Sequence, residues 1–154
     1  MEKMTLSRAL RYKKRVVEKI RLFESDIQNS NTIVDGEERD VDVRLALKQR
    51  EAWVRHLVDL KLTIQQATQP IQRLVLELAE AKSEIAFLQR VGTQHGTQQS
   101  RYSGEPSLKY VSEIRKQERD KMVSTLQDEI DKIQTKIDAH NAETTIEVTV
   151  PELP

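Results

Sequence analysis

The chain contains no cysteine, which excludes a disulfide scaffold, a thiolate zinc site and a cysteine nucleophile and leaves the redox compartment open. Glycine and proline number four each, so little of the chain reads as flexible linker. Aromatic residues are scarce, with one tryptophan, three tyrosines and two phenylalanines, and the thin core they allow suits a helix bundle. No stretch approaches the roughly eighteen apolar residues of a membrane span. The basic start MEKMTLSRALRYKKRVV lacks the apolar centre of a signal peptide, so a cytoplasmic location is expected. Charge of one sign is also missing: 25 Lys and Arg balance 25 Asp and Glu, which removes the simplest argument for a dedicated nucleic-acid or anionic-membrane binder. Finally, there is no phosphate-cradling glycine loop, dinucleotide fingerprint, serine elbow or His-Glu-x-x-His zinc pattern. With no catalytic constellation, cofactor signature or small-molecule substrate site, the chain is not expected to be an enzyme.

What is present is helical periodicity. Ile71, Leu74, Leu78, Ala81, Ile85 and Leu88 recur at steps of three and four, which places them on one stripe of a helix. Val75, Leu76 and Ala79 widen that stripe and predict the most central helix. Pro70 fits its first position, where no amide donor is needed, and predicts a tight antiparallel hairpin with the helix before it. That preceding helix is predicted from Asp42 to Thr68 on Ala46, Trp53, Leu57, Leu60, Ile64 and Ala67, with the stem of Arg50 along the core edge and its charge in water. An N-terminal helix from Thr5 to Gln28 uses Ala9, Val16, Ile20, Phe23 and Ile27, flanked by Leu6, Leu10 and Val17. A last helix, capped by Ser112 and ending near His140, uses Ile114, Met122, Leu126, Ile130, Ile133 and Ile137.

Short β elements are expected around 32–43, 107–111 and 145–150. The first would be a hairpin about Asp35-Gly36. The last, TIEVTV before Pro151, is the best strand, and would pair with 107–111, with 32–34 or with another subunit. Residues 92–106 read as a mobile polar loop and 142–154 as a β-prone tail. The fold class is therefore all-α: four long helices in an antiparallel, coiled-coil-like bundle forming a single domain over 1–154.

The segments TLSRAL, the helix near Pro70, RYSGEPSLKYVS at 101–112 and IDKIQTKIDAHNAETTIEV at 130–148 together resemble the small bacterial helical family labelled septicolysin or septicolysin-like. RYS followed by KYVS, and Asn141 before the β-prone tail, carry the resemblance. Ala142 departs from the tryptophan expected after that asparagine. The resemblance implies the helical fold, and through the family label a membrane-active, cytolysin-like protein; it transfers no residue role.

The sharpest electrostatic feature is the first helix. Lys3, Arg8, Arg11, Lys13, Lys14, Arg15, Lys19 and Arg21 face only Glu2 and Glu18. Spread around the helix, these cations suit a solvated face that meets acidic patches of the same bundle or of a neighbouring copy. Alternatively Arg8, Arg11 and Arg15 follow an external anion such as a nucleic-acid backbone, with Tyr12 beside them. Arg101 and Tyr102 form either a recognition tip or a tether that docks on the bundle. Trp53 reads as a core anchor first and an interface residue second. The acidic loop 35–42 is no EF-hand, because Gly36 is misplaced and Arg39 intrudes, and His56, His95 and His140 are too dispersed to bind a metal together. The function expected is a non-enzymatic helical interaction or assembly module. It would form a homo-oligomer through apolar helix faces or the C-terminal strand, with a protein partner next in order and membrane or nucleic acid as alternatives.

Overall fold

The computed structural model describes residues 1–98, 104 and 106–151. The fold is all-α with short β elements. In chain order these are β1 (Glu2–Thr5), α1 (Leu6–Ser30), α2 (Val43–Thr68), a 3-10 turn (Gln69–Ile71), α3 (Gln72–Arg90), β2 (Gly96–Gln98), β3 (Leu108–Tyr110), α4 (Lys116–Glu143) and β4 (Thr145–Val148). They fall into two compact units, Met1–Ile71 with Asp138–Pro154, and Gln72–Ile137.

The first unit pairs α1 with α2. Thr5, extended at the end of β1, accepts from the Arg8 amide through its side chain and so starts α1. The helix runs to Ser30, and its last carbonyls are satisfied by a side chain from the following loop: the Arg39 guanidinium donates to Ser30 O and Asn31 O, each at 3.2 Å. The residue that spoils a calcium loop is thus a helix cap. Asp42 then caps α2 by accepting from the Leu45 amide at 3.0 Å. The predicted turn at Asp35-Gly36 exists, with Gly36 at φ +91°, but the flanking segments form no strands and Val34 is 68% exposed.

Helices α1 and α2 run antiparallel, because Tyr12, Lys19 and Glu24 meet His56, Trp53 and Arg50 in that order. Arg50 does not simply point to water: its Nε and Nη2 both donate to Glu24 Oε1, at 2.9 and 2.7 Å. The C-terminal tail completes this unit. β4 pairs antiparallel with β1 in the register Glu2↔Val148 and Met4↔Ile146, and the Leu6 amide extends the ladder to Thr144 O. The tail therefore pairs within the chain, with neither of the segments expected. Met4, Leu6, Ala9, Val16, Ile20, Trp53, Leu60, Ile64, Ile146 and Val148 make one buried cluster.

No loop separates α2 from α3. Pro70 sits in the middle of the 3-10 turn, where its missing amide is replaced by an i to i−3 bond from Gln69 N–H to Gln66 O, and residues 43–90 stay helical throughout. Pro70 thus lies within this turn and not at the first position of α3, which starts at Gln72. In the second unit α3 buries only Leu88, while Leu76 and Phe87 are exposed. Its predicted stripe exists but is narrow, with Leu74, Leu78, Ala81 and Ile85 half-buried.

The segment read as a loop carries β2, which pairs with β3 in the register Gly96↔Tyr110. Ser112 caps nothing: its hydroxyl has no hydrogen-bond partner, and its amide donates to His95 Nδ1 at 3.2 Å. α4 starts instead at Lys116, where Arg115 O accepts from the Arg119 amide. Arg119 reaches back to Val91 O at 3.3 Å, so α4 sets out from the end at which α3 stops. The stripe of α4 is Val123, Leu126, Ile130, Ile133 and Ile137; Ile114 lies outside the helix and Met122 is 41% exposed.

Candidate functional site

The chemistry-bearing side chains of the first unit gather where α1 crosses α2. Lys19 Nζ lies 4.3 Å from the centre of the Trp53 ring. The His56 ring meets Trp53 edge-on at 5.6 Å and Tyr12 edge-on at 5.6 Å. His56 is 7% exposed, the buried polar residue of the core, and its Nε2 lies 3.1 Å from the Tyr12 hydroxyl.

Burial pushes the His56 pKa below the ordinary imidazole value, against the opposing pull of Asp59 and of a backbone hydrogen bond at Thr149. The imidazole is thus neutral at neutral pH. With the ring hydrogen on the nitrogen facing the Thr149 carbonyl, Nε2 accepts from the Tyr12 hydroxyl. Burial, and then the charge of Glu2, push the Tyr12 pKa up. The phenol keeps its proton, and that proton is committed to His56. The pair is a satisfied internal hydrogen bond that pins the Tyr12 ring between α1 and the space beyond it.

That space is a hollow of about 350 Å³ lined by Glu2, Met4, Arg8, Arg11, Tyr12 and Arg15. Arg8, Arg11 and Arg15 are exposed. At 3.6 residues per turn they lie within an arc of about 60° on α1 and span roughly 10 Å of its length. Of the eight cations counted along the first segment, Lys3 lies on β1 and the other seven surround the helix, but these three share one side. Arg8 Nη2 pairs with Glu2 Oε1 at 2.6 Å; among the described residues Arg11 and Arg15 have no carboxylate partner. β1 supplies the facing wall: Glu2 and Met4, two residues apart, share one face of the strand, Met4 sealing the floor at 5% exposure.

Two other hollows lie in the first unit. One of about 680 Å³ under the α1–α2 connection contains Arg39 and Asp42, which already cap the two helices. One of about 270 Å³ lies on the far side of His56, among Asp59, Thr63, Glu147 and Thr149. No group of three or more His, Cys, Asp or Glu among the described residues could hold a metal ion, and none of their helices is long and apolar enough to cross a membrane. Trp53 is a core residue, as its stripe predicts. Arg101 and Tyr102 lie outside the described residues.

Three members of the site escape a local reading. His56 stands on the apolar stripe, three residues after Trp53 and four before Leu60, but as a polar residue it is passed over, and its partner on another helix completes the account of its burial. Glu2 and Met4 belong to a strand with no alternation of its own. The arginines, by contrast, carry a readable signal, the i, i+3, i+7 spacing. Compared with protein-family models, with curated proteins and with solved structures, the chain matches none.

Proposed function

We propose that this chain is a non-enzymatic interaction module that engages an anionic partner through the Arg8, Arg11 and Arg15 face of α1. The observation that carries the reading is the shared hollow: three arginines line one space, while the phenol and imidazole behind it are bonded to each other and serve as scaffold. Planar guanidiniums offer paired donors to oxyanions and remain charged at any physiological pH.

The test is salt-dependent retention on an immobilised sulfated polyanion. Reversing Arg8, Arg11 and Arg15 to Glu should move elution to much lower salt. Reversing Lys13, Lys14 and Arg21, an equal change of charge elsewhere on α1, should move it far less. Equal shifts for the two variants would reduce the effect to bulk charge and sink the reading.

Self-association is a second reading, supported by Val58 and Leu62, each 53% exposed and one turn apart on α2. With one edge of β4 taken by β1, this helix surface is the favoured route. Light scattering on the eluting protein, for the native chain and for Val58→Glu with Leu62→Glu, tests it: a dimer that the variant abolishes supports the reading, and a monomer removes it.

A further inference from the structure

We infer that the arginine hollow is a site for a dianionic phosphate group, either free or terminating a small ester. The inference rests on the anionic-partner reading above and narrows the ligand class. Three arginines and the single Glu2 carboxylate line the hollow, so its lining residues carry a net of two positive charges. A phosphate monoester carries about −1.5 to −2 at neutral pH and offers three acceptor oxygens, which matches that charge; a carboxylate would leave one cation unanswered.

Size points the same way. About 350 Å³ lies at the small end of ligand sites, which run from roughly 300 to 1,000 Å³, and β1 walls one side of the space. The hollow suits a compact anion better than a strand tracking past it. The composition of its lining is also divided: the arginines supply donors, whereas buried Met4 and the edge of the pinned Tyr12 ring supply apolar surface for the carbon atoms of an ester.

Glu2 is the built-in rival. Its carboxylate sits on Arg8 at 2.6 Å, with 45% of its side chain exposed, so an arriving phosphate competes with it for one of the three guanidiniums. The carboxylate thereby sets a threshold on affinity, and it demonstrates that an oxyanion fits against Arg8.

Titration calorimetry on the full chain at constant ionic strength tests the inference, with inorganic phosphate, glycerol phosphate, sulfate and acetate as probes. Phosphate and its ester should bind and acetate should not. Equal affinity for phosphate and ester would assign the site to the free ion, and tighter binding of the ester would assign it to the ester. Arg11→Ala with Arg15→Ala should weaken binding by about tenfold or more, and Glu2→Gln should tighten it several-fold. Between pH 7.5 and 5.5 phosphate binding should fall as the ligand takes up a proton (its second pKa is about 6), while sulfate binding holds. Three results would each overturn the inference: no heat with phosphate or ester at millimolar concentration, affinity unchanged by the arginine double variant, or affinity unchanged in Glu2→Gln. If polyanion retention still depended on the three arginines, such a result would remove the phosphate assignment alone. Loss of both effects would remove the anionic-partner reading as well.

Discussion

The bond between Tyr12 and His56 ties the hollow to the core, and Tyr12→Phe isolates its contribution. The substitution removes one hydroxyl and leaves His56 Nε2, on a residue 7% exposed, without a donor at the 3.1 Å position. Leaving a buried acceptor unsatisfied costs about 1–3 kcal/mol, whereas replacing both partners by apolar groups is close to neutral. Tyr12→Phe should therefore cost about 1–3 kcal/mol alone, and the double variant with His56→Leu should cost less than the sum of the singles by about 1–2 kcal/mol. Thr149 is exposed, so its freed carbonyl takes water when His56 is lost. Urea unfolding followed by Trp53 emission is the suitable assay: Trp53 is the sole tryptophan and its ring stands 5.6 Å from His56, so the signal reports on this unit. At about 1–3 kcal/mol per molar urea, Tyr12→Phe should lower the midpoint by around 1 M. Strict additivity of the two substitutions, within about 0.5 kcal/mol, would refute the assigned hydrogen bond.

Three further outcomes follow from the same contacts. Because burial lowers the His56 pKa, the unfolded chain takes up a proton that the folded chain refuses. Stability present above the ordinary imidazole value of 6.5 should therefore be lost as pH falls from there toward the folded-state value, at up to about 1.4 kcal/mol per pH unit. His56→Leu should flatten that part of the profile, and an unchanged slope would contradict the assignment. Asp42→Ala removes the cap of α2 and should cost about 1 kcal/mol, read as an earlier thermal midpoint by circular dichroism, while Asp40→Ala serves as a control of equal charge. Ending the chain after Asn141 deletes buried Ile146 and Val148, each worth about 1.5–3 kcal/mol. The truncated chain should expose Trp53 and shift its emission to the red; a native-like spectrum and melting point would show that β4 is dispensable to the core.

The parts of this fold that were legible in the sequence are those whose partners lie within a turn or two. The stripes from Ile71 to Leu88 and from Leu126 to Ile137 declare themselves because residues three and four apart share a face. Asp35-Gly36 announces a turn correctly for the same reason. The strands at 108–110 and 145–148 fall where the sequence placed them, but their partners did not, because a strand is defined by what it pairs with: Thr32 to Val34 and Val41 to Val43 have β-prone residues and nothing to pair with, while Glu2 to Thr5 has no pattern and a partner at the far end of the chain. His56 is the same kind of case, a polar residue made sense of by a tyrosine 44 positions away.

This dependence on distant pairing reaches the candidate site itself. In the observed register Glu2 and Met4 stand opposite Val148 and Ile146 and look into the first unit, so Met4 seals the hollow and Glu2 meets Arg8. A slip of one residue would turn Lys3 and Thr5 to that face instead. The floor would then lose its apolar side chain, and a lysine would face three arginines. Burial of Ile146 and Val148 against α1 and α2 holds the register that prevents this. The charge of the hollow is therefore fixed by the apolar alternation of the C-terminal tail, although no tail residue lines it: core packing chooses the register, and the register decides whether a carboxylate or an ammonium shares the space with Arg8, Arg11 and Arg15.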